Sequence, residues 1–240
     1  MFSTMTLNLW AYNDWSIRKQ NIINLINDLK PDILTLQEVR IDTRFSYFPQ
    51  SQEISEKCGY NYHAYSPAWS KSKVDSTSNS NDVAVSHGLS ILSKFPITNV
   101  TTQFLNKHPD FDEPCIVMFA DIDMEGELHA VCNVHFANRD LFASLHLQEL
   151  MSVCKLRNQP TIIQGDFNIF QLGKYKLTLL KHYELSSEKT QYRSFPKDNV
   201  TLDYIIVPAS RYRIDEVLCP NVYVSDHNAV MARLSKKITI

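Results

Sequence analysis

Thr161-Ile162-Ile163-Gln164-Gly165-Asp166-Phe167-Asn168 is a stretch that predicts a buried strand ending in a polar cluster. Its first three residues favour β-structure, and Gly165 suits a sharp exit from the strand. Residues two apart in an extended chain share a face, so Asp166 and Asn168 are expected to point the same way. A carboxylate beside a carboxamide can position a water molecule and hold a charged oxygen. Because Gly-Asp-x-Asn is also ordinary turn chemistry, its meaning depends on the rest of the chain.

The composition is typical of a globular protein with a full hydrophobic core. The chain has 240 residues, of which 44% are hydrophobic, and a net charge of −2. It shows no basic excess for nucleic acid, no apolar run long enough to cross a bilayer, and no signal peptide. The five cysteines are scattered without a C-x-x-C pair, which is typical of reduced thiols. We therefore expect one domain over residues 1–240, monomeric and cytoplasmic, although a processed secreted chain would have the same pattern.

The N-terminal residues predict a β-α-β unit. A strand over residues 2–10 is followed by a helix from about Trp15 to Leu29, for which Asp14 is the expected N-cap. A second strand follows after Pro31, and Glu38 comes directly after its apolar part. A glutamate in that place is either a solvated loop residue or a metal-binding carboxylate.

Further strands and helices are spread along the whole chain. Residues 66–86 are rich in Ser, Asn, Lys and Asp, and we expect them to form a mobile surface loop. The aromatic residues at 45–48 are expected to pack in the core rather than on a rim. Strands are predicted at 60–65, 87–93, 97–100, 115–123, 128–136, 202–207, within 217–224 and at 229–234, and helices near 50–59, 141–156 and 174–181.

Polar residues recur where the apolar strands end. They are Asn8, Glu38, His135, Asp166, Asn168, Asp203, Asp226 and His227. Eight such residues in one chain indicate a shared cleft. The set is rich in oxygen ligands and lacks cysteine, which suits Mg²⁺ or Mn²⁺ better than zinc. The sequence has no P-loop and no serine nucleophile elbow, so the reaction it favours is metal-assisted attack of water on phosphorus.

Six motifs stand in the order found in the endonuclease/exonuclease/phosphatase superfamily, which the chain resembles from Leu7 to His227. They are Asn8, Gln37-Glu38-Val39, Asn133-Val134-His135, Gly165-Asp166-Phe167-Asn168, Leu202-Asp203-Tyr204-Ile205 and Ser225-Asp226-His227. The group includes deoxyribonuclease I-like, apurinic endonuclease-like and neutral sphingomyelinase-like enzymes. The resemblance implies an α+β fold, a four-layer α/β/β/α sandwich of two mixed β-sheets flanked by helices, with the site at one edge.

The resemblance also implies roles for the polar residues. Glu38, with Asn8 and Asp226, would hold Mg²⁺ or Mn²⁺ against a phosphate oxygen. His227 would be the general base that takes a proton from water. Asp203 would hold the imidazole of that histidine in the useful tautomer.

The other three residues of the set would face the substrate. By the same resemblance, Asp166 would orient the water or assist the leaving group, and Asn168 and His135 would bind phosphoryl oxygens. Two positions depart from the family pattern. His87 stands where the family often has glutamate, which places a second metal there in question. Cys115 stands where the family often has arginine, so one phosphate-pairing cation is missing from that position.

The predicted activity is metal-dependent hydrolysis of a phosphodiester. Gln37-Glu38-Val39-Arg40 resembles the nuclease branch, in which Arg40 could touch a backbone phosphate, and nucleic acid is therefore slightly favoured as substrate. The segment 91–97 resembles the sphingomyelinase-like branch as much as any, which leaves a phospholipid phosphodiesterase or a phosphomonoesterase as the alternative. The near-neutral net charge argues against nonspecific DNA binding. A catalytically inactive binding scaffold is the alternative from another class.

Overall fold

A computed structural model describes residues 1–73, 83–108, 110–111 and 113–237 of the chain. Within these ranges, twelve strands form two six-stranded sheets. The strands are β1 (Phe2–Asn8), β2 (Ile33–Asp42), β3 (Tyr62–Lys73), β4 (Val83–Ser93), β5 (Ile97–Phe104), β6 (Ile116–Met124), β7 (Glu127–His135), β8 (Thr161–Asp166), β9 (Tyr183–Leu185), β10 (Asp203–Pro208), β11 (Tyr212–Leu218) and β12 (Val230–Lys236). The α-helices are α1 (Trp15–Leu29), α2 (Gln50–Cys58), α3 (Asp140–Arg157) and the single turn α4 (Ser186–Lys189).

Both sheets are mixed, and each contains one parallel pair. The first sheet has the order β11-β12-β1-β2-β4-β3 and the second has the order β5-β6-β7-β8-β10-β9. The parallel pairs are β1 with β2 and β7 with β8, whereas the other neighbours are antiparallel. The predicted β-α-β start is therefore confirmed, because α1 connects the parallel strands β1 and β2.

Three hydrophobic clusters define the layers. The first lies between the sheets and joins residues such as Ile33 of β2 to Ile162 of β8. The second packs α3 on the second sheet, with Leu147 buried. The third packs α1 and α2 on the first sheet, with Ile22 and Ile54 buried. This arrangement confirms the predicted four-layer sandwich.

A row of buried polar side chains, here called the amide seam, crosses between the two sheets. It consists of Thr4, Gln37, Asn133 and Gln164, each fully buried. The Gln37 amide donates to Asn133 Oδ1 at 2.7 Å, and the Asn133 amide donates to two backbone carbonyls of the first sheet. Gln164 accepts from the Thr4 hydroxyl at 2.5 Å. Because these amides find partners across the gap, they fix the two sheets relative to each other without burying a charge.

Three local predictions were wrong. Residues 66–73 and 83–86 are strand rather than loop, since β3 is an edge strand that pairs with β4 without needing an apolar face; residues 74–82 lie outside the described residues. The predicted helix at 174–181 is a short 3₁₀ turn at 172–175 followed by turns. Asp14 does not cap α1, because its φ is 46° and its side chain makes no capping hydrogen bond.

Candidate active site

Strand ends bring three of the predicted site residues side by side. His135 ends β7 and is paired with Asp166, which ends β8. Asp203 begins β10 and is paired with the same aspartate from the other side. Directly paired residues on neighbouring strands share a face of the sheet, so the two carboxylates and the imidazole come together at one edge.

A β-bulge presents Glu38. The pairing of β2 with β4 shifts its register between Leu36 and Val39, and Glu38 takes a φ of 52°. A bulge inserts one unpaired residue and redirects its side chain, and such features occur beside active sites. A positive φ at a residue other than glycine is strained, so the surrounding sheet must hold this conformation in place.

Gly165 allows β8 to approach β7 closely just before Asp166. Its φ is 146°, and a Cβ atom there would lie 2.1 Å from the carbonyl oxygen of Val134. No side chain fits that contact, so steric exclusion explains why the Gly-Asp-x-Asn motif has glycine at this position. Gly165 is paired within β8, which continues to Asp166, so this glycine serves the close approach to β7 rather than the predicted sharp strand exit.

Asp166 is the centre of the cluster. Its Oδ2 atom accepts a hydrogen bond from Asn8 Nδ2 at 3.0 Å and lies 3.7 Å from His135 Nε2 and 3.8 Å from His227 Nε2. Its Oδ1 atom accepts from the backbone N–H of Asn168 at 2.9 Å. Residues that are far apart in sequence therefore converge on one buried carboxylate, from both sheets of the sandwich.

His227 and Asp203 form a buried pair. The imidazole Nδ1 lies 2.8 Å from Asp203 Oδ2, while its Nε2 faces Asp166. Burial alone would lower the pKa of His227, but the carboxylates of Asp203 and Asp166 raise it to about 10. Burial also raises the pKa of Asp203 above its ordinary value. Both pKa shifts apply to the metal-free protein. The charge of a bound metal ion would offset that of the neighbouring carboxylates.

Two acidic side chains face each other beside this pair. Burial raises the pKa of Asp226, and the charge of Glu38 raises it further, while that of His227 lowers it. Carboxylates gathered at Glu38, Asp226 and Asp166 suit a hard divalent cation. The Asn8 amide donates to Glu38 Oε1 at 3.1 Å, so it orients this carboxylate.

Among the described residues, one compact set of three side chains also has metal-ligand spacing. It comprises Asp166, Asp203 and His227, whose ligand atoms lie within 4.8 Å of one another. The His227 Nδ1 is already paired with Asp203, so the bond between them would compete with a metal.

The cleft over these residues has a volume of about 520 Å³. Six of the eight predicted residues line it: Glu38, His135, Asp166, Asn168, Asp226 and His227. Asn8 and Asp203 are 1% and 0% exposed and lie behind the others. The structure thus brings the whole predicted set together, with six residues facing the cleft and two supporting them.

Both positions that depart from the family pattern line the cleft. The ring of His87 lies edge-to-face with His135, with centroids 6.3 Å apart, and burial together with that neighbour lowers the pKa of His87 to about 4. Burial, assisted by the charge of Glu113, raises the pKa of the Cys115 thiol to about 12. Position 87 therefore offers a neutral imidazole at pH 7, and position 115 offers a neutral thiol.

Arg18 was not predicted and is fully buried. Its guanidinium donates to the backbone carbonyls of Leu9, Ala11, Asn13 and Val224. The first three carbonyls follow Asn8 in sequence, and the fourth precedes the Ser-Asp-His motif, so this arginine ties together two segments that supply site residues. The helical period could have indicated it, because Arg18 lies four residues before a buried isoleucine of α1.

A second concavity, of about 570 Å³, lies outside the cleft and contains none of the predicted site residues. It is bordered by Tyr12 and Trp15 and by Phe45 and Phe48. Phe45 is 66% exposed and Phe48 is 60% exposed, so the expectation that this aromatic cluster packs in the core was wrong. The chain turns at Asp42–Ser46, where it leaves β2, and these rings stay on the surface.

The fold and the site together define a two-sheet hydrolase-type sandwich with an acidic, histidine-containing cleft. The sequence model of the endonuclease/exonuclease/phosphatase family matches residues 5–227, so the chain belongs to that family. Its members are phosphoesterase hydrolases that generally use a divalent metal. No curated protein matches the sequence.

Solved structures share the fold at low sequence identity. An endonuclease/exonuclease/phosphatase from Beutenbergia cavernae has a TM-score of 0.79 and 16% identity over 98% of this chain and 71% of its own. The human Nocturnin catalytic domain, with bound sulfate, has a TM-score of 0.72 and 20% identity over 98% and 94%. The mannosyl-6-phosphatase from Bacteroides thetaiotaomicron has a TM-score of 0.65 and 19% identity over 98% and 100%. These likenesses confirm the architecture.

In the described part of the chain, no helix combines the length and apolarity needed to span a membrane.

Proposed function

We propose that this protein is a divalent-metal-dependent phosphoesterase that hydrolyses a phosphodiester by attack of an activated water molecule. The observation that carries the proposal is the convergence on Asp166. Its carboxylate lies 3.7 Å from His135 and 3.8 Å from His227, and it accepts a hydrogen bond from Asn8. Family membership supports the reaction class, and the residue roles below are our proposal.

His227 is the proposed general base. Its Nε2 atom would take a proton from water while the water oxygen forms a bond to phosphorus and the bond to the leaving oxygen breaks. Asp203 holds the Nδ1 side of the ring at 2.8 Å, which fixes the orientation and stabilises the imidazolium that forms. Asp166 faces the same Nε2 atom and would orient the water or assist the leaving group.

His135 and Asn168 are the proposed partners of the phosphoryl oxygens. Both line the cleft together with Asp166. One N–H of the Asn168 amide already donates to the carbonyl of Phe136 at 3.0 Å, which fixes the side chain and leaves its other N–H for the substrate. Donors held in place before the reaction stabilise the charge that develops on phosphoryl oxygens.

Glu38 and Asp226 would hold the divalent cation, Mg²⁺ or Mn²⁺. When bound, such an ion would polarise a phosphoryl oxygen and offset the charge of the acidic cluster. Asn8 belongs to this group chiefly through its hydrogen bond to Glu38, because its Oδ1 atom already accepts from the backbone N–H of Trp10. The donor set fits an oxygen-preferring ion, as the sequence predicted.

Hydrolysis of bis-p-nitrophenyl phosphate tests the proposal. We expect turnover with Mg²⁺ or Mn²⁺, loss of turnover on chelation, and recovery when the metal is restored. The ion should also raise the melting temperature, because a ligand that binds only the folded state stabilises it. If neither ion supports cleavage of this ester, of plasmid DNA or of sphingomyelin, and neither raises the melting temperature, the inactive binding scaffold becomes the better explanation.

A further inference from the structure

The walls of the cleft carry no positive excess. Outside the proposed catalytic and metal-binding residues, its charged lining residues among those the structure describes are Arg40, Glu113 and Asp198. Apart from the proposed site residues, the lining therefore contains two carboxylates and one guanidinium. The neutral groups at His87 and Cys115 add no cation at pH 7 to this balance.

The stretches outside the described ranges add no basic residue to that balance. Residues 74–82, 109, 112 and 238–240, which lie outside the described ranges, contain no lysine or arginine. Lys71 lies near the cleft wall, where its ammonium is 5.5 Å from the ring centroid of Trp69. Arg40 stacks on the same ring at 5.8 Å. A polynucleotide is held through many phosphate contacts with lysine and arginine, whereas Arg40 is the lining cation among the described residues and Lys71 lies beside it.

Aromatic rings form the other part of the wall. The cleft is lined by Trp69, Phe111, Phe170 and Phe195. The ring of Phe195 lies 4.8 Å from that of His227, and Phe170, which is 52% exposed, comes two residues after Asn168. The ring of Phe195 therefore lies directly beside the proposed general base. Aromatic rings beside a polar reaction centre can pack against the ring of a small organic molecule, and a volume of about 520 Å³ lies in the range of sites for such molecules.

We infer that the cleft takes a compact phosphoester that bears one phosphate and an uncharged arm with a ring, and that polynucleotides are poor substrates. This inference rests on the proposed phosphoesterase function and names its substrate class. It runs against the slight preference for nucleic acid drawn from the Glu38-Val39-Arg40 segment. One guanidinium beside the site can pair with one phosphate, but it cannot hold a chain of them.

Two nitrophenyl esters that share one reacting bond test the charge argument. The first is thymidine 5′-(p-nitrophenyl phosphate), and the second is the same ester on a decathymidylate, which adds nine phosphates. We expect the decamer to have a kcat/KM no higher than that of the mononucleotide, with a change of less than about tenfold between 50 and 200 mM salt. A protein making 6–10 phosphate contacts would lose about 10³–10⁵ in affinity over that range. A decamer preferred tenfold or more, with a steep loss in salt, would overturn the inference.

A second pair of esters tests the aromatic wall. Phenyl and ethyl p-nitrophenyl phosphate carry the same charge and leaving group, so they differ only in the arm. We expect the phenyl ester to have the higher kcat/KM, and Phe170→Ala to lower the ratio of the phenyl to the ethyl kcat/KM. Equal kcat/KM values for the two esters in the unaltered protein would overturn the ring preference.

Charge reversal provides the matched variants. The double variant Glu113→Lys/Asp198→Lys should raise the kcat/KM of the decamer relative to the mononucleotide ester and make it sensitive to salt. The control Asp28→Lys/Glu125→Lys makes the same change in net charge at exposed residues outside the cleft and should leave the ratio unchanged. An unchanged ratio in both would show that the wall does not decide substrate length. If no ester is hydrolysed at all, the proposed function itself fails.

Discussion

The amide seam and the active-site cluster are built on the same strands, one or two residues apart, and they use polar groups in opposite ways. Gln37 precedes Glu38 on β2, and Gln164 lies two residues before Asp166 on β8. In the seam, neutral amides are matched donor to acceptor at 2.7 Å. In the cluster, acidic groups crowd together, and Asp203 Oδ1 is buried without a hydrogen-bond partner among the described residues.

This difference shows how one scaffold separates stability from chemistry. A neutral amide with all its partners satisfied holds the sheets together at little electrostatic cost. A buried carboxylate or imidazole is costly unless it is paired, and its pKa responds to every neighbouring charge. The ionisable residues therefore lie at the strand ends, beside the cleft. The amides lie between the two sheets, where the sheets pack against each other.

Placing a charge in the seam should give the largest effect on stability. Gln164→Glu puts a carboxyl group at a fully buried position, where burial raises its pKa by about 3 units or more. A carboxyl group whose folded pKa is raised destabilises the protein as pH rises above its unfolded value of about 4.3. We expect a loss in unfolding free energy that is small near pH 4 and reaches about 4 kcal/mol at pH 8. Urea unfolding at several pH values measures it.

Gln164→Met is the matched control for this prediction. It removes the same amide without adding a titratable group, so its destabilisation relative to the unaltered protein should not change with pH. The unfolding free energies of Gln164→Glu and Gln164→Met could instead differ by the same amount from pH 4 to pH 8. The introduced carboxyl group would then have the same pKa in the folded and unfolded protein, which contradicts the prediction.

Removing the proposed base should lower turnover. His227→Ala is expected to lower kcat by about 10²–10⁴-fold, because it removes general-base catalysis. His129 provides the control, since it is 3% exposed and bonded to the Tyr212 hydroxyl, far from the cleft residues in the structure. His129→Ala should lower the melting temperature and leave kcat unchanged. Near-normal turnover in His227→Ala would discredit its role as base.

The sequence predicted the cluster better than it predicted the segments that support it. Asp166 and Asn168 were recognisable because strand periodicity and one glycine place them at a strand end. The left-handed backbone at Glu38 was not, because a bulge depends on the pairing of β2 with β4 and has no local signature. Arg18 was missed because a buried arginine is rare, and its partners are carbonyls that only the folded chain brings near.

The smallest expected effect concerns the metal, and it tests whether the cluster needs its charge. Glu38→Gln keeps the shape of the side chain and an oxygen that accepts from Asn8, but it removes the negative charge. We expect the Mg²⁺ concentration for half-maximal activity to rise roughly tenfold, equivalent to about 1.4 kcal/mol of binding free energy, with kcat at saturating metal largely retained. Glu53→Gln makes the same change at an exposed glutamate paired with Lys19 and should leave the metal dependence unaltered. An unchanged Mg²⁺ requirement in Glu38→Gln would remove this residue from the ligand set, and its strained backbone would then have to be explained by substrate binding instead.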